Sequence, residues 1–475
     1  MNTFTRKALY AAIAGVAAVG AASTAEAVNI SADGLGQVLI YPYYTVRSNA
    51  AGQPYNTLFS VVNTTGSVKA VKVRFREGRN SVEVLDFNVF LSPFDVWTAT
   101  ITPGPIVSGA DPATAGAQIS TNDTSCTIPS FTPNVPVQFR TLSITDTGDL
   151  NVARTAEGYF EVFEMGTETG TTAAKATHVS GVPPCGITDA GASADIRPPS
   201  GGLFGGVIIV NPAGGGAFSQ AATALDNFWG AGFPGQYRDT GSLNPIYADA
   251  FPRSDIISKA TLYSSLWANG NDAVTAVLLG NAITNEYVLD TGTKSQTSWI
   301  ITMPTKYAYV NPGVRAPFTS TYVTGVGACE PTFAVVFNRE EASPQVVTSS
   351  DFSPQTPGAP GPTICFEATS VNFNGGNIFG STNTKSLATA FSNGWSTFAF
   401  NDPAAAAVHR MVPNSTVSID LAAATTANST VTYFGLPVVG FAAETFQNDA
   451  IVINGKSYLS TFGVTFVHHK TTKIQ

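Results

Sequence analysis

A mainly β architecture, arranged as one or two β-sandwich-like multi-sheet domains with a few short helices, follows from three features of the 475-residue sequence. Apolar and polar residues alternate with period two in many short runs, the spacing of half-buried strands. Charged residues make up 12% of the chain and hydrophobic residues 44%, about half the charge of an ordinary soluble domain. Forty-four glycines and 29 prolines provide turns between the runs. The same balance excludes a disordered chain, which needs low hydrophobicity and high charge.

The N-terminus stands apart from that fold. Arg6 and Lys7 precede an apolar run from Ala8 to Ala22, followed by Ala25-Glu26-Ala27. A positive n-region, a short h-region and a small-x-small site predict a signal peptide over residues 1–27, with a mature chain beginning at Val28. The run is too short to span a bilayer, and no later apolar run reaches that length. No cysteine stands at the cleavage site for lipid attachment.

The clearest strand is Val71-Lys72-Val73-Arg74-Phe75-Arg76, with three apolar residues on one face and three cations on the other. Glu77-Gly78-Arg79-Asn80 reads as a turn, and the return strand runs from Val82 to Leu91. Its apolar phase switches between Val84 and Leu85, which predicts a β-bulge. The cationic row is expected to pair with Glu83 and Asp86 and to face solvent. Trp97, Ala99 and Ile101 alternate with threonines, while Tyr159–Met165 and Val207–Val210 read as buried strands. Asn454-Gly455 between two apolar runs is a strong hairpin signal. Helices are expected at Asp255–Ala268, capped by Ser254 and stopped by Asn269-Gly270, and at Ser219–Trp229. Pro183–Gly202 and Ser343–Pro362 read as loops. The first sets the expected division into a β domain at 28–200 and a second at 201–475. An outer-membrane barrel would need longer, evenly spaced strands with aromatic girdles.

The formal charge is −8, with 24 Lys and Arg in total. So few cations exclude an extended basic face for nucleic acid and a polybasic stripe for anionic lipid. The four cysteines, Cys126, Cys185, Cys329 and Cys365, read as two disulfides in an exported chain. Three pairings are open; Cys126–Cys185 and Cys329–Cys365 are favoured because each pair flanks a turn-rich stretch. No C-x-x-C spacing supports a zinc site.

No motif defines a reaction, and no cofactor is expected. Asp-Thr-Gly occurs at Asp146, Asp239 and Asp290. Two such triplets on facing loops would make an aspartic protease dyad, but only Val288-Leu289 before Asp290 has the apolar strand that this requires. Val207–Gly216 leading toward Ser219 has the outline of a dinucleotide loop without its third glycine or a βαβ series. His178, His409, His468 and His469 form no known metal or hydrolase motif; adjacent His468 and His469 face opposite ways on a strand. Glu157, Glu161 and Glu164 would be glycosidase carboxylates, but Glu157 and Glu161 sit about 13 Å apart along a strand. Tyr41, Tyr43 and Tyr44 are the candidate sugar-stacking residues.

The stretch Gly36–Tyr44, read Gly-Gln-Val-Leu-Ile-Tyr-Pro-Tyr-Tyr, resembles the start of a group of exported proteobacterial cell-surface proteins. Ala70–Gly78, Ser92–Trp97, Asn285–Leu289 and Trp299–Lys306 are similar to the same group. The resemblance implies export to the bacterial surface or beyond, with the periplasm as a third compartment. It carries over no catalytic or binding residue. Two functional expectations follow: a non-enzymatic surface or matrix protein that packs against itself or the cell envelope, or a secreted protein that binds or cleaves glycans.

Overall fold

The computed structural model describes residues 27–104, 115–146, 148, 150–230, 232–240, 244–340, 345–346, 363–448, 451–458 and 460–475. Residues 1–26 of the signal peptide expected at 1–27, and almost all of Ser343–Pro362, lie outside the described residues. The protein is mainly β, with short helices.

The first half forms a sandwich. Its strands are β1 (Asn29–Ile30), β2 (Val38–Thr45), β3 (Asn56–Asn63), β4 (Val68–Glu77), β5 (Glu83–Leu91), β6 (Val96–Pro103), β7 (Ala117–Ser120), β8 (Cys126–Ile128), β9 (Val137–Gln138), β10 (Glu157–Glu168), β11 (Ile196–Arg197), β12 (Leu203–Val210), β13 (Ala217–Ala221) and β14 (Thr223–Asp226). One sheet runs β1-β14-β2-β10-β4-β5-β8 with β11 beside β10, and the other runs β13-β12-β3-β6-β7-β9. Between them pack Tyr41, Phe59, Phe75, Trp97, Phe160 and Val207. The bulge falls where the sequence places it: Phe75 faces Leu85 but Arg76 faces Glu83, leaving Val84 as the extra residue.

The expected boundary near residue 200 is corrected by β12, β13 and β14, which lie beyond Gly202 yet complete both sheets of the first sandwich. β12 pairs with β3 from Leu203↔Asn63 to Val210↔Asn56. A turn-rich stretch marks a loop, but composition does not say whether the chain returns to the same sheet.

A second sandwich follows. Phe333–Asn338, Asn393–Ala399, Ala282–Val288 and His469–Thr471 lie in one sheet, and Ala368–Phe373, Gln296–Thr302, Val439–Gln447 and Thr461–Val467 in the other. Tyr287, Trp299, Phe373 and Phe398 fill the space between. The two sandwiches are continuous in their packing. Val38, Ile40, Phe163 and Leu225 of the first join the core around Trp299, while Ile300, Phe379 and Phe441 of the second join the core around Phe160.

Both expected helices are strands. Asp255–Ala268 is a hairpin, Arg253–Ser258 against Thr261–Leu266, turned by Lys259 and Ala260 at φ 48° and 61°. Ile256, Ala260, Tyr263 and Trp267 have helical spacing, but the Ile-Ile-Ser and Thr-Leu-Tyr-Ser-Ser runs fit a pleated surface better than a helix. The strand Ser415–Asp420 then pairs along Thr261–Leu266. Asn269-Gly270, read as a stop, is a start: Asn269 accepts from the Asp272 N–H and caps the helix Gly270–Leu278. Ser219–Trp229 likewise supplies β13 and β14, because ladder pairing with β12 and β2 overrides local alanine-rich propensity. The Asn454-Gly455 hairpin forms with both residues at positive φ.

Cys126–Cys185 and Cys329–Cys365 are disulfides, spanning 59 and 36 residues. Among the described residues, no helix is long and apolar enough to cross a membrane.

Candidate functional site

The outer face of the β13-β12-β3-β6-β7-β9 sheet carries the most distinctive surface. Its strands bury one phase of their alternation against the core and leave an outward phase that is itself largely apolar. Leu58, Val96, Phe204 and Ile208 are 38–47% exposed there. Ser60, Thr98, Thr100, Ser120 and Ser219 sit among them and line a groove of about 890 Å³. None of the residues lining this groove is charged.

Two successive glycines show how finely β12 divides its faces. A Cβ on Gly205, on the inner phase, would lie 2.0 Å from the Tyr41 hydroxyl and 2.2 Å from the Ser60 carbonyl oxygen. A Cβ on Gly206, on the outer phase, would meet the Gln220 carbonyl oxygen at 3.2 Å. Gly206 therefore leaves a shallow trough between the exposed rings and chains of Phe204 and Ile208.

The apolar face continues beyond β13. The strand Thr461–Val467 lies beside it, with the Thr465 hydroxyl donating to the Ser219 carbonyl. That strand turns Gly463 toward the buried Phe218 ring and leaves Phe462, Val464 and Phe466 exposed. Sequence reading missed this surface. The relevant signal, Leu203–Val210 with apolar residues in both phases, normally marks a strand covered on both sides.

The sugar-stacking candidates are corrected by their burial. Tyr41, Tyr43 and Tyr44 are 0–1% exposed and offer no ring face to a ligand. Tyr41 stacks on Phe160 at 4.1 Å between ring centroids, and its hydroxyl donates to the Ser60 carbonyl at 2.6 Å. The Tyr43 and Tyr44 hydroxyls donate to Glu157 and to the Thr155 carbonyl. β2 lies between neighbours on both sides, so alternate residues all find cover.

Glu157, Glu161 and Glu164 of β10 are each buried with their own partners. Glu157 lies 3.3 Å from Arg47 and accepts from Ser381 and Thr382. Burial raises its carboxyl pKa, but Arg47 and these donors bring it below the ordinary range. Glu161 meets Arg76 at 3.0 Å. Glu164 accepts from Lys69 at 2.5 Å and from the Ser200 and Gly201 amides. They form separate ion pairs rather than an acid–base couple.

The cationic row of β4 pairs partly as expected but is not solvated. Lys72 meets Asp86 at 3.1 Å and Arg74 meets Glu83 at 2.6 Å. Residues 237–240 and 244–247 cross over it: the Asp239 and Pro245 carbonyls accept from Lys72 and Arg74. Lys72 is fully buried as a result.

The remaining motifs resolve into structure. Asp146 accepts from both Nη1 and Nη2 of Arg154, at 2.9 and 2.6 Å. Asp290 caps a turn through the Thr293 N–H, and Asp239 lies in the segment over Lys72. Thr147 and Gly241 of the triplets lie outside the described residues. Asn211–Gly216 turns one strand into the next rather than opening a helix. His468 is buried between Asn285 and the Ile300 carbonyl, and burial lowers its pKa to about 4, whereas His469 is exposed on the opposite side of its strand. No family model, curated protein or solved structure matches the chain.

Proposed function

We propose that the protein is an exported, non-enzymatic surface or extracellular protein that assembles with further copies of itself through the outer face of the β13-β12-β3-β6-β7-β9 sheet. The observation that carries this reading is the groove on this face, where Leu58, Phe204 and Ile208 are exposed and no lining residue is charged, with Phe462, Val464 and Phe466 exposed on the strand beside β13. Exposed apolar surface of this extent marks an interaction site.

Charge and shape favour a second copy as the occupant. The chain carries a formal charge of −8, so identical copies repel unless they meet where no charge faces the contact. The groove has none. Its profile also suits a two-fold contact, in which the same patch serves both partners. The ridge at Phe204 of one copy would enter the trough at Gly206 of the other. The leader and the paired cysteines agree with an oxidising, exported setting.

The test is sedimentation velocity of the chain from Val28 onward. Concentration-dependent dimers or larger species are expected. Phe204→Lys should give monomers with an unchanged thermal midpoint, because Phe204 is 43% exposed and packs in no core. A wild-type protein that stays monomeric at high micromolar concentration would overturn the proposal.

A further inference from the structure

A second cavity, sharing no residue with the outer groove, opens between the β4–β5 hairpin and the segment 304–311 and holds about 490 Å³. Its floor is the arginine pair of β4 and its walls are amides and hydroxyls, including Asn80, Asn271, Thr305 and Asn311. Tyr307 stands on its rim and is 42% exposed. The volume lies within the range of roughly 300–1,000 Å³ for small-molecule sites.

The charges in this wall are already matched. Arg74 meets Glu83 at 2.6 Å, Arg76 meets Glu161 at 3.0 Å, and Asp146 meets Arg154 at 2.6 Å. An ionic ligand would have to give up its hydration without gaining an uncompensated partner. Hydrogen-bonding capacity is left over, however. Arg74 uses Nε on Glu83 and Nη1 on the Pro245 carbonyl, and Arg76 uses Nε on Glu161 and Nη1 on the Ser81 carbonyl. A guanidinium carries five N–H donors, and the Nη2 group of each arginine has no partner among the described residues. Their Cα atoms are two residues apart on one strand face, about 7 Å, so both guanidiniums line the same cavity. The Asn80–Asn311 amide pair, joined at 2.8 Å, fixes further donors and acceptors in the wall.

We infer that this cavity binds a neutral saccharide ring. Donors from Arg74 and Arg76 hold its hydroxyls, and the Tyr307 ring covers its apolar face. The site does not depend on self-assembly.

The experiment is saturation-transfer NMR with calorimetry on the chain from Val28 onward. The probes are D-glucose, D-galactose, D-mannose and N-acetyl-D-glucosamine, with inorganic phosphate as the ionic probe. At least one sugar should bind saturably, and phosphate should not bind. Tyr307→Ala should weaken sugar binding by about tenfold through loss of ring stacking, with no change in thermal midpoint. Phe204→Lys should leave sugar binding unchanged even where it abolishes assembly. Absence of saturable binding for all four sugars, phosphate binding in this cavity, or unaltered sugar affinity in Tyr307→Ala would each overturn the inference.

Discussion

Lys69 Nζ lies 2.5 Å from a carboxylate oxygen of Glu164, and both side chains are fully buried. The pair joins β4 to β10, with Ser200 and the Gly201 amide supplying the remaining hydrogen bonds. Sequence alternation puts Lys69 on β4, but only the β10 register brings Glu164 within reach. Removing one member leaves the other as a buried, uncompensated charge, which costs about 3–5 kcal/mol. Lys69→Met should therefore lower the urea midpoint strongly. Lys69→Met combined with Glu164→Leu should recover much of that loss. A double variant that loses the sum of the Lys69→Met and Glu164→Leu losses would show that the pair is not coupled.

Glu168, at the end of the same strand, has the opposite situation. It is 3% exposed, and neither carboxylate oxygen has a partner among the described residues. Burial first, and then the nearby Asp195 charge, push its pKa up to about 8. A carboxyl raised on folding contributes full stability below its unfolded value of 4.5, and that contribution is lost as pH rises through about 8. The protein should therefore lose on the order of 3 kcal/mol of stability between pH 5 and pH 9 from this group. Glu168→Gln should flatten that decline. Denaturant unfolding at the two pH values measures it, and an identical pH slope in wild type and variant would refute it.

Much of the local structure was legible in the sequence, and the reason is local. The phase switch at Val84–Leu85 is visible in side-chain parity alone, and the bulge sits there. Asn454-Gly455 specifies a hairpin because its two residues tolerate positive φ. What failed depends on distant partners. Ile256, Ala260, Tyr263 and Trp267 satisfy a helical period and a hairpin equally, and pairing with Ser415–Asp420 decides between them. Tyr41, Tyr43 and Tyr44 look like a platform until Phe160, Glu157 and Thr155 are brought against them. The outer face was invisible for a related reason: an apolar residue in the outward phase of β12 reads as covered, and only the sheet order shows that nothing among the described residues covers Phe204 and Ile208.

The disulfides tie irregular segments to the sheets. Cys126 begins β8 at the edge of its sheet, and Cys185 follows the helix Gly170–Ala176; the two pack with Phe90, Met165 and Ala192. Closing 59 residues restricts the unfolded chain by about 4 kcal/mol in the entropy model, and closing 36 restricts it by nearly as much. Cys126→Ser with Cys185→Ser should lower the unfolding free energy by about that amount, and Cys329→Ser with Cys365→Ser should do so independently. Calorimetry under non-reducing conditions checks both. A change below about 1 kcal/mol for either double variant would contradict the entropic account.

The sharpest test of the face assignment lies in adjacent residues of β12. Gly205 points inward, where an added Cβ would lie 2.0 Å from the Tyr41 hydroxyl and 2.2 Å from the Ser60 carbonyl. Neither neighbour has room to withdraw. Tyr41 is clamped by Phe160 stacking and by its own bond to that carbonyl, and Ser60 is held in the β3–β12 ladder. Gly205→Ala should therefore cost about 2–4 kcal/mol, the range of strained core overpacking and a broken buried hydrogen bond together. Gly206 points outward, and its Cβ meets only the Gln220 carbonyl at 3.2 Å, so Gly206→Ala should change stability by less than about 1 kcal/mol. The same Gly206→Ala substitution narrows the trough beside Phe204 and should weaken self-association. Urea unfolding and sedimentation of the two variants read these effects separately. Comparable destabilisation by both substitutions would mean that the two faces of β12 have been exchanged, and the assembly surface with them.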